Sequence, residues 1–253
     1  MKNLVFTILI SCFLVLTVLA GDEVTLQIAK GDSLFKLFDN KGALEGYLAA
    51  LQLDSMNYEA NWKAARAYTD VGETIEDDDE RASMYLQGSQ HALKAVQIDS
   101  MASKGHLYLS IALGRVALDA GAKERIKLSK DIKKEVDLAI KYDPNDDIAY
   151  HVLGRWNRKL SNLSWIEKGF ADMFLGGVPE EASDENAIAA FKKAIELKPY
   201  HINHHLELGI TYEMVDMEEE ARKEFQTCLD LQKSDSNDEK YKKDAQERLE
   251  DLD

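Results

Sequence analysis

Apolar residues recur along most of this chain at three- and four-residue intervals, the spacing that lines one face of an α-helix. The stretch from Ile202 to Asp235 carries the pattern most clearly. Leu208, Gly209 and Tyr212 fall on one predicted helix, and Ala221, Phe225 and Cys228 on a second. Gly209 and Ala221 are small where two antiparallel helices would cross closely. Leu208, Tyr212 and Phe225 are bulky enough to fill the space beside that crossing.

This 34-residue helix–turn–helix resembles the tetratricopeptide repeat. Earlier copies follow upstream. The first unit carries Gly31 and Leu34 on one helix, then Ala43, Tyr47 and Ala50, closing at Leu53-Asp54. Later units close in the same way at Ile98-Asp99, Tyr142-Asp143-Pro144 and Leu197-Lys198-Pro199. The predicted units are 24–57, 58–102, 103–146, 147–201 and 202–235, with lengths of 34, 45, 44, 55 and 34 residues. The excesses of 11, 10 and 21 residues are about three, three and six helical turns at 3.6 residues per turn. Insertion of whole turns lengthens a helix without rotating its apolar face.

The insertions differ in kind. Glu76 to Glu80, all acidic, suit a solvated loop and the start of a long helix. Ala122 to Lys141 reads as one long helix. Leu163, Ile166, Phe170, Met173 and Phe174 recur at helical spacing before Gly176-Gly177-Val178-Pro179 breaks the pattern, which predicts an inserted helix. Residues 236–253 carry Tyr241, Ala245 and Leu249 amid charge and read as an acidic C-terminal capping helix, which the end of a repeat array requires. The expected fold is an all-α, tetratricopeptide-like helical-repeat solenoid with lengthened helices and one inserted helix.

The first twenty residues are a separate object. Lys2, an apolar run from Leu4 to Leu19 and the small Ala20 match a secretory signal peptide cut after Ala20. Retention as an anchor and lipidation at Cys12 are the alternatives. The expected location is extracytoplasmic, periplasmic or secreted, with membrane contact only if the leader is retained. Lys and Arg number 31 against 46 Asp and Glu, a net charge of −15. Without Lys2 the mature chain has 30 against 46, or −16. That balance argues against nucleic-acid binding, or anionic-membrane binding, by the surface as a whole. Cys228 is the one cysteine left after cleavage, so stability must come from packing without a disulfide.

Asn61-Trp62 with Arg66-Ala67, Lys94-Ala95 before Asp99, and His106 opening the third unit narrow the resemblance. So does the run Leu153-Gly154-x-Trp156, Trp165-x-x-Lys168, Ala171 and Pro179. Over residues 55–235 the chain resembles the regulator of microtubule dynamics family of tetratricopeptide proteins. The resemblance implies a non-enzymatic helical-repeat protein that binds partners. It links animal members to microtubules, and one to membrane contact sites and phospholipid. A secretory-type leader would place this chain away from microtubules.

The resemblance also implies a concave groove lined by the second, fifth, ninth, twelfth and thirteenth residues of each first helix. In the middle units these positions hold Trp62, Arg66, Lys104, Leu107, Arg115, His151, Arg155, Arg158 and Lys159. Six are cationic in an acidic chain. Such a groove would attract an acidic peptide or protein segment, with Arg pairing carboxylates in bidentate fashion. The competing expectation is that these cations pair with acids on neighbouring helices. The rival function is lipid or amphiphile binding in an apolar cavity lined by Trp156, Trp165, Phe170 and Phe174.

His201, His204 and His205 fall within about one helical turn after Pro199 and read as a helix start, not as a metal site. Asp143 to Asp147 has the start of a calcium loop, but Ile148 stands where glycine is needed and Gly154 where glutamate is needed, so it reads as an inter-unit turn. No phosphate loop, nucleophile elbow or His/carboxylate constellation is visible. The chain reads as a non-enzyme without cofactor or metal.

Overall fold

A computed structural model of the chain describes residues 21–175 and 177–252; the leader and Cys12 lie outside them. Twelve helices and no strand occur among the described residues. In order they are α1 (21–36), α2 (Asn40–Leu53), α3 (Tyr58–Gly72), α4 (Asp78–Ile98), α5 (Ser103–Asp119) and α6 (Ala122–Tyr142). They continue as α7 (Asp147–Ser161), α8 (Trp165–Leu175), α9 (Asp184–Leu197), α10 (Ile202–Met214), α11 (Glu218–Asp230) and α12 (Asp238–Asp251). The chain divides between Ser100 and Met101 into two compact units.

Short polar side chains set the helix starts. Asp39, Asn57, Asp77, Asp146 and Ser183 each accept a hydrogen bond from a backbone N–H of the first turn. Asp54, Asp99 and Asp143 leave the helical conformation at the other ends. These are the same positions that close the repeats in sequence.

In unit 1, α3 packs on α4 and on α2. The core gathers Val24, Ile28, Ala43, Tyr47, Ala60, Ala64, Tyr68 and Val71. In unit 2 the helices pair as α5 with α6, α7 with α9, and α10 with α11, while the first helices α5, α7 and α10 touch in succession. The last two pairs are each keyed by a glycine beneath an aromatic ring. A Cβ on Gly209 would stand 2.5 Å from Phe225, and one on Gly154 would stand 2.7 Å from Phe191. No side chain fits in that space, so the ring rests on bare backbone.

The architecture is the expected tetratricopeptide-like helical repeat with lengthened helices and one inserted helix. α4 and α6 each run 21 residues against 13 for α11. Whole-turn insertion is too simple, however, because part of the second unit's excess lies in the loop 73–77. The inserted helix is α8, which packs on α6. It rests on the fully buried Ala171, while Ile166 and Met173 are turned to solvent. A short helix held from one side has no second wall to cover that stripe. In α12, Ala245 is buried against the α10–α11 core, and Tyr241 and Leu249 pack beside it.

Candidate partner-binding face

In unit 1, Trp62 and Arg66 lie half-buried on α3. The Arg66 guanidinium stacks 3.5 Å over the Phe35 ring of α1 and donates to Tyr47 Oη at 3.1 Å. Tyr47 in turn donates to Asp32 at 2.9 Å, and Asp32 also accepts from Lys63 at 2.7 Å. Burial, reinforced by Asp32, raises the Tyr47 phenol well above its ordinary value despite the opposing charge of Arg66. Arg66 thus ties α1, α2 and α3 together as well as presenting charge.

In unit 2 the residues of the expected groove separate into two groups. Leu107 is fully buried with Val136, Ala139 and Ala149, so it belongs to the core. His151 and Arg158 are also buried. The reason is the next first helix, α10, whose residues cover them. Arg158 Nη1 donates to the Glu207 carbonyl at 3.0 Å, and its Nη2 donates to the Glu207 carboxylate. His151 Nδ1 lies 2.9 Å from His204 Nδ1. Neither can touch an outside ligand.

The remaining positions stay accessible. Lys104 pairs with Asp146 at 2.7 Å. Burial opposes its charge, but that hydrogen bond and charge outweigh burial and raise it. Arg115 is half-buried on α5. Arg155 Nε lies 3.4 Å from Glu207 Oε1, and Lys159 is exposed beside it. Partial burial and the guanidiniums of Arg158 and Arg155 lower Lys159. Tyr241 of α12 joins this neighbourhood: burial pushes it up to about 12, against the pull of Arg115 and Arg155.

Glu207 decides the charge balance. Among the described residues it is the carboxylate within ion-pair reach of both Arg155 and Arg158. Burial would raise it, yet Arg155 and Arg158 hold it below the usual carboxylate range. One anion therefore faces three cations, Arg155, Arg158 and Lys159.

The other candidates resolve differently. His205 points to Glu224 at 2.7 Å and to the Pro199 carbonyl at 3.0 Å, whereas His204 points to Asp147 at 2.9 Å. His205 thus turns away, whereas His201, His204 and His151 gather, with ring centroids 4.1 Å apart for His201–His204 and 5.0 Å for His151–His204. No group of three metal-type ligands occurs among the described residues. Asp146 caps α7 and accepts from Lys104, in keeping with an inter-unit turn. Of the four aromatics expected to line an apolar cavity, Trp156 is core, with its indole N–H donating to the Ser129 carbonyl at 2.7 Å. Trp165 is 83% exposed to solvent. The side chains of Phe170 and Phe174 lie outside the described residues. Glu207 was missed in sequence, and His204 was weighed there only as a metal ligand, because the repeat register places neither on the groove. The one available signal was an acid, Glu207, set between Leu206 and Leu208.

The helix pairs, their glycine–aromatic keys and the stacked first helices define a tetratricopeptide-type repeat protein. Residues 27–253 match the family described as Regulator of microtubule dynamics protein 1-3, and the chain belongs to that family. The match reaches further at both ends than the 55–235 read from sequence. The chain is 31% identical over 187 residues to Regulator of microtubule dynamics protein 3 of Rattus norvegicus, covering 74% of this chain and 40% of the rat protein. It is 25% identical over 215 residues to Regulator of microtubule dynamics protein 1 of Caenorhabditis elegans, covering 85% of this chain and 94% of the worm protein. Among solved structures it is similar in fold to TTC0263, a tetratricopeptide protein of Thermus thermophilus. There the TM-score is 0.66 at 16% identity, with 90% and 98% of the two chains covered. Pseudomonas aeruginosa pilF is similar with a TM-score of 0.56 at 12% identity, covering 92% and 93%.

Proposed function

We propose that this protein is a non-enzymatic interaction module whose unit 2 binds an acidic peptide or protein segment across α5, α7 and α10. The repeat fold supports a protein-interaction role in general. The single observation behind the finer reading is the shared Glu207. It faces two guanidiniums with the exposed Lys159 beside them, inside a chain of net charge −15. An incoming carboxylate relieves that local excess and gains bidentate geometry from Arg155. The leader read at residues 1–20 supports an extracytoplasmic location, where the partner would be met. An apolar lipid cavity draws no support from Trp156, which is core, or from Trp165, which faces solvent.

The test is fluorescence anisotropy of a labelled octaglutamate peptide with the wild-type chain and with Lys159→Glu. Lys159 is exposed, so its reversal leaves the buried Arg158–Glu207 contact in place. The expected result is binding that weakens with salt and falls about tenfold in the variant. Equal binding by both proteins, or none by either, overturns the reading.

A further inference from the structure

Two buried imidazoles of unit 2 share a hydrogen bond that holds one proton. His151 Nδ1 on α7 lies 2.9 Å from His204 Nδ1 on α10, and His204 Nε2 lies 2.9 Å from Asp147 Oδ2. In the neutral pair His204 donates from Nε2 to the Asp147 carboxylate. Its Nδ1 must then accept, and His151 is the Nδ1–H tautomer. One further proton, drawn from solvent, can enter with both hydrogen bonds kept. His204 becomes an imidazolium that donates to Asp147 from Nε2 and to His151 from Nδ1, while His151 carries its hydrogen on Nε2. The relay thus has two protonation states with one heavy-atom arrangement.

Burial and a ring of cations favour the neutral state. Arg155 and Arg158 of α7 act on His151, together with His201 and His204. Lys198 after α9 and His205 of α10 act on His204, against Asp147. Asp147 and Asp238 of α12 act on His201 in the opposite sense to Lys198. From α9 the uncharged Phe191 ring meets His151 edge-on, at 5.6 Å between centroids. Glu207 is already paired with Arg155 and Arg158.

We propose that the His151–His204–Asp147 relay couples proton uptake to anion binding on the Arg155–Lys159 face. This rests on the reading of that face given above. A carboxylate docked at Arg155 and Lys159 offsets the positive potential that Arg155 projects onto His151, so the proton enters more readily. By reciprocity the acidic segment binds more tightly once the proton is in place. The partner is then favoured in mildly acidic surroundings.

The test is isothermal titration of octaglutamate into the full chain at about pH 7.5 and about pH 5.5. Two buffers of different ionisation enthalpy read the proton uptake. The expected result is binding about fivefold tighter at the lower pH, accompanied by proton uptake, with both effects lost in His204→Gln. The probe itself loses charge as pH falls, which works against tightening. If His204→Gln does not fold, the ring ¹⁵N shifts of the wild-type chain decide. The His151 and His204 titrations then move to higher pH when peptide is bound. Equal affinity at both pH values with unmoved titrations overturns the coupling and leaves the face reading intact. Tightening that persists in folded His204→Gln also overturns the coupling. No binding at either pH by a chain with native circular dichroism overturns the face reading, and the coupling with it.

Discussion

Arg158 of α7 and Glu207 of α10 form a buried ion pair that joins two successive repeats of unit 2. Arg158 also donates to the Glu207 backbone carbonyl at 3.0 Å and to Thr211 Oγ1 at 3.4 Å. Burial lowers the Arg158 guanidinium, and Glu207 works against that. Removing the carboxylate leaves a guanidinium with little water and less compensation. Glu207→Gln is expected to cost about 3 kcal/mol in urea unfolding. The double change Glu207→Leu with Arg158→Met should cost less than Glu207→Gln alone, because the buried pair is removed together.

The three histidines of the α7–α10 contact predict a pH dependence of stability. Burial, then neighbouring cations, holds His151 well below its ordinary value of 6.5, and burial, then His204, brings His201 down to about 3. Burial lowers His204 as well. Above pH 6.5 both the folded and unfolded chains leave these rings neutral, so no stability depends on them. As pH falls below 6.5 the unfolded chain takes up protons first. Stability therefore drops progressively until the folded rings protonate, with His201 doing so at about 3. The urea midpoint should fall steadily from about pH 6.5 to about pH 4.5. His201→Phe should flatten that slope, since it deletes one of the strongly depressed titrations.

The glycine–aromatic key predicts a sharply local defect. Gly154→Ala places a methyl group 2.7 Å from the Phe191 ring. The ring sits fully buried and cannot swing outward. Overpacking there is expected to cost about 2 kcal/mol, and Phe191→Leu in the same chain should recover part of it. Thermal melts of the single and double variants provide the check.

Cys228 should be inert in the native chain. It is fully buried, and burial followed by the nearby Glu224 pushes its thiol up to about 12. A thiol-specific reagent should leave it unmodified without denaturant and label it fully in urea.

Much of the fold was legible in the residues alone. Gly209, Tyr212, Ala221 and Phe225 set the register, and the Asp closing the first three repeats at 54, 99 and 143 marked where helices end. The inserted α8 was legible as a helix, but its orientation was not, because Ile166 and Met173 carry no sign of whether a wall stands over them. The face was legible only in outline. Repeat register selects positions on one helix and says nothing of what the next helix places upon them. Leu107, His151 and Arg158 were therefore counted as accessible, although α6, α9 and α10 supply side chains that bury them. Glu207 and His204, which set the charge and the proton balance, sit in a different register one repeat later.

The most direct measurement of the central claim is amide chemical-shift mapping of the ¹⁵N-labelled chain as octaglutamate is added. Shifts concentrated on α7 and α10, around Arg155, Lys159 and Glu207, with α8 unchanged, are the predicted result. Shifts concentrated on α8 around Trp165 and Met173, with α7 and α10 unmoved, would contradict it.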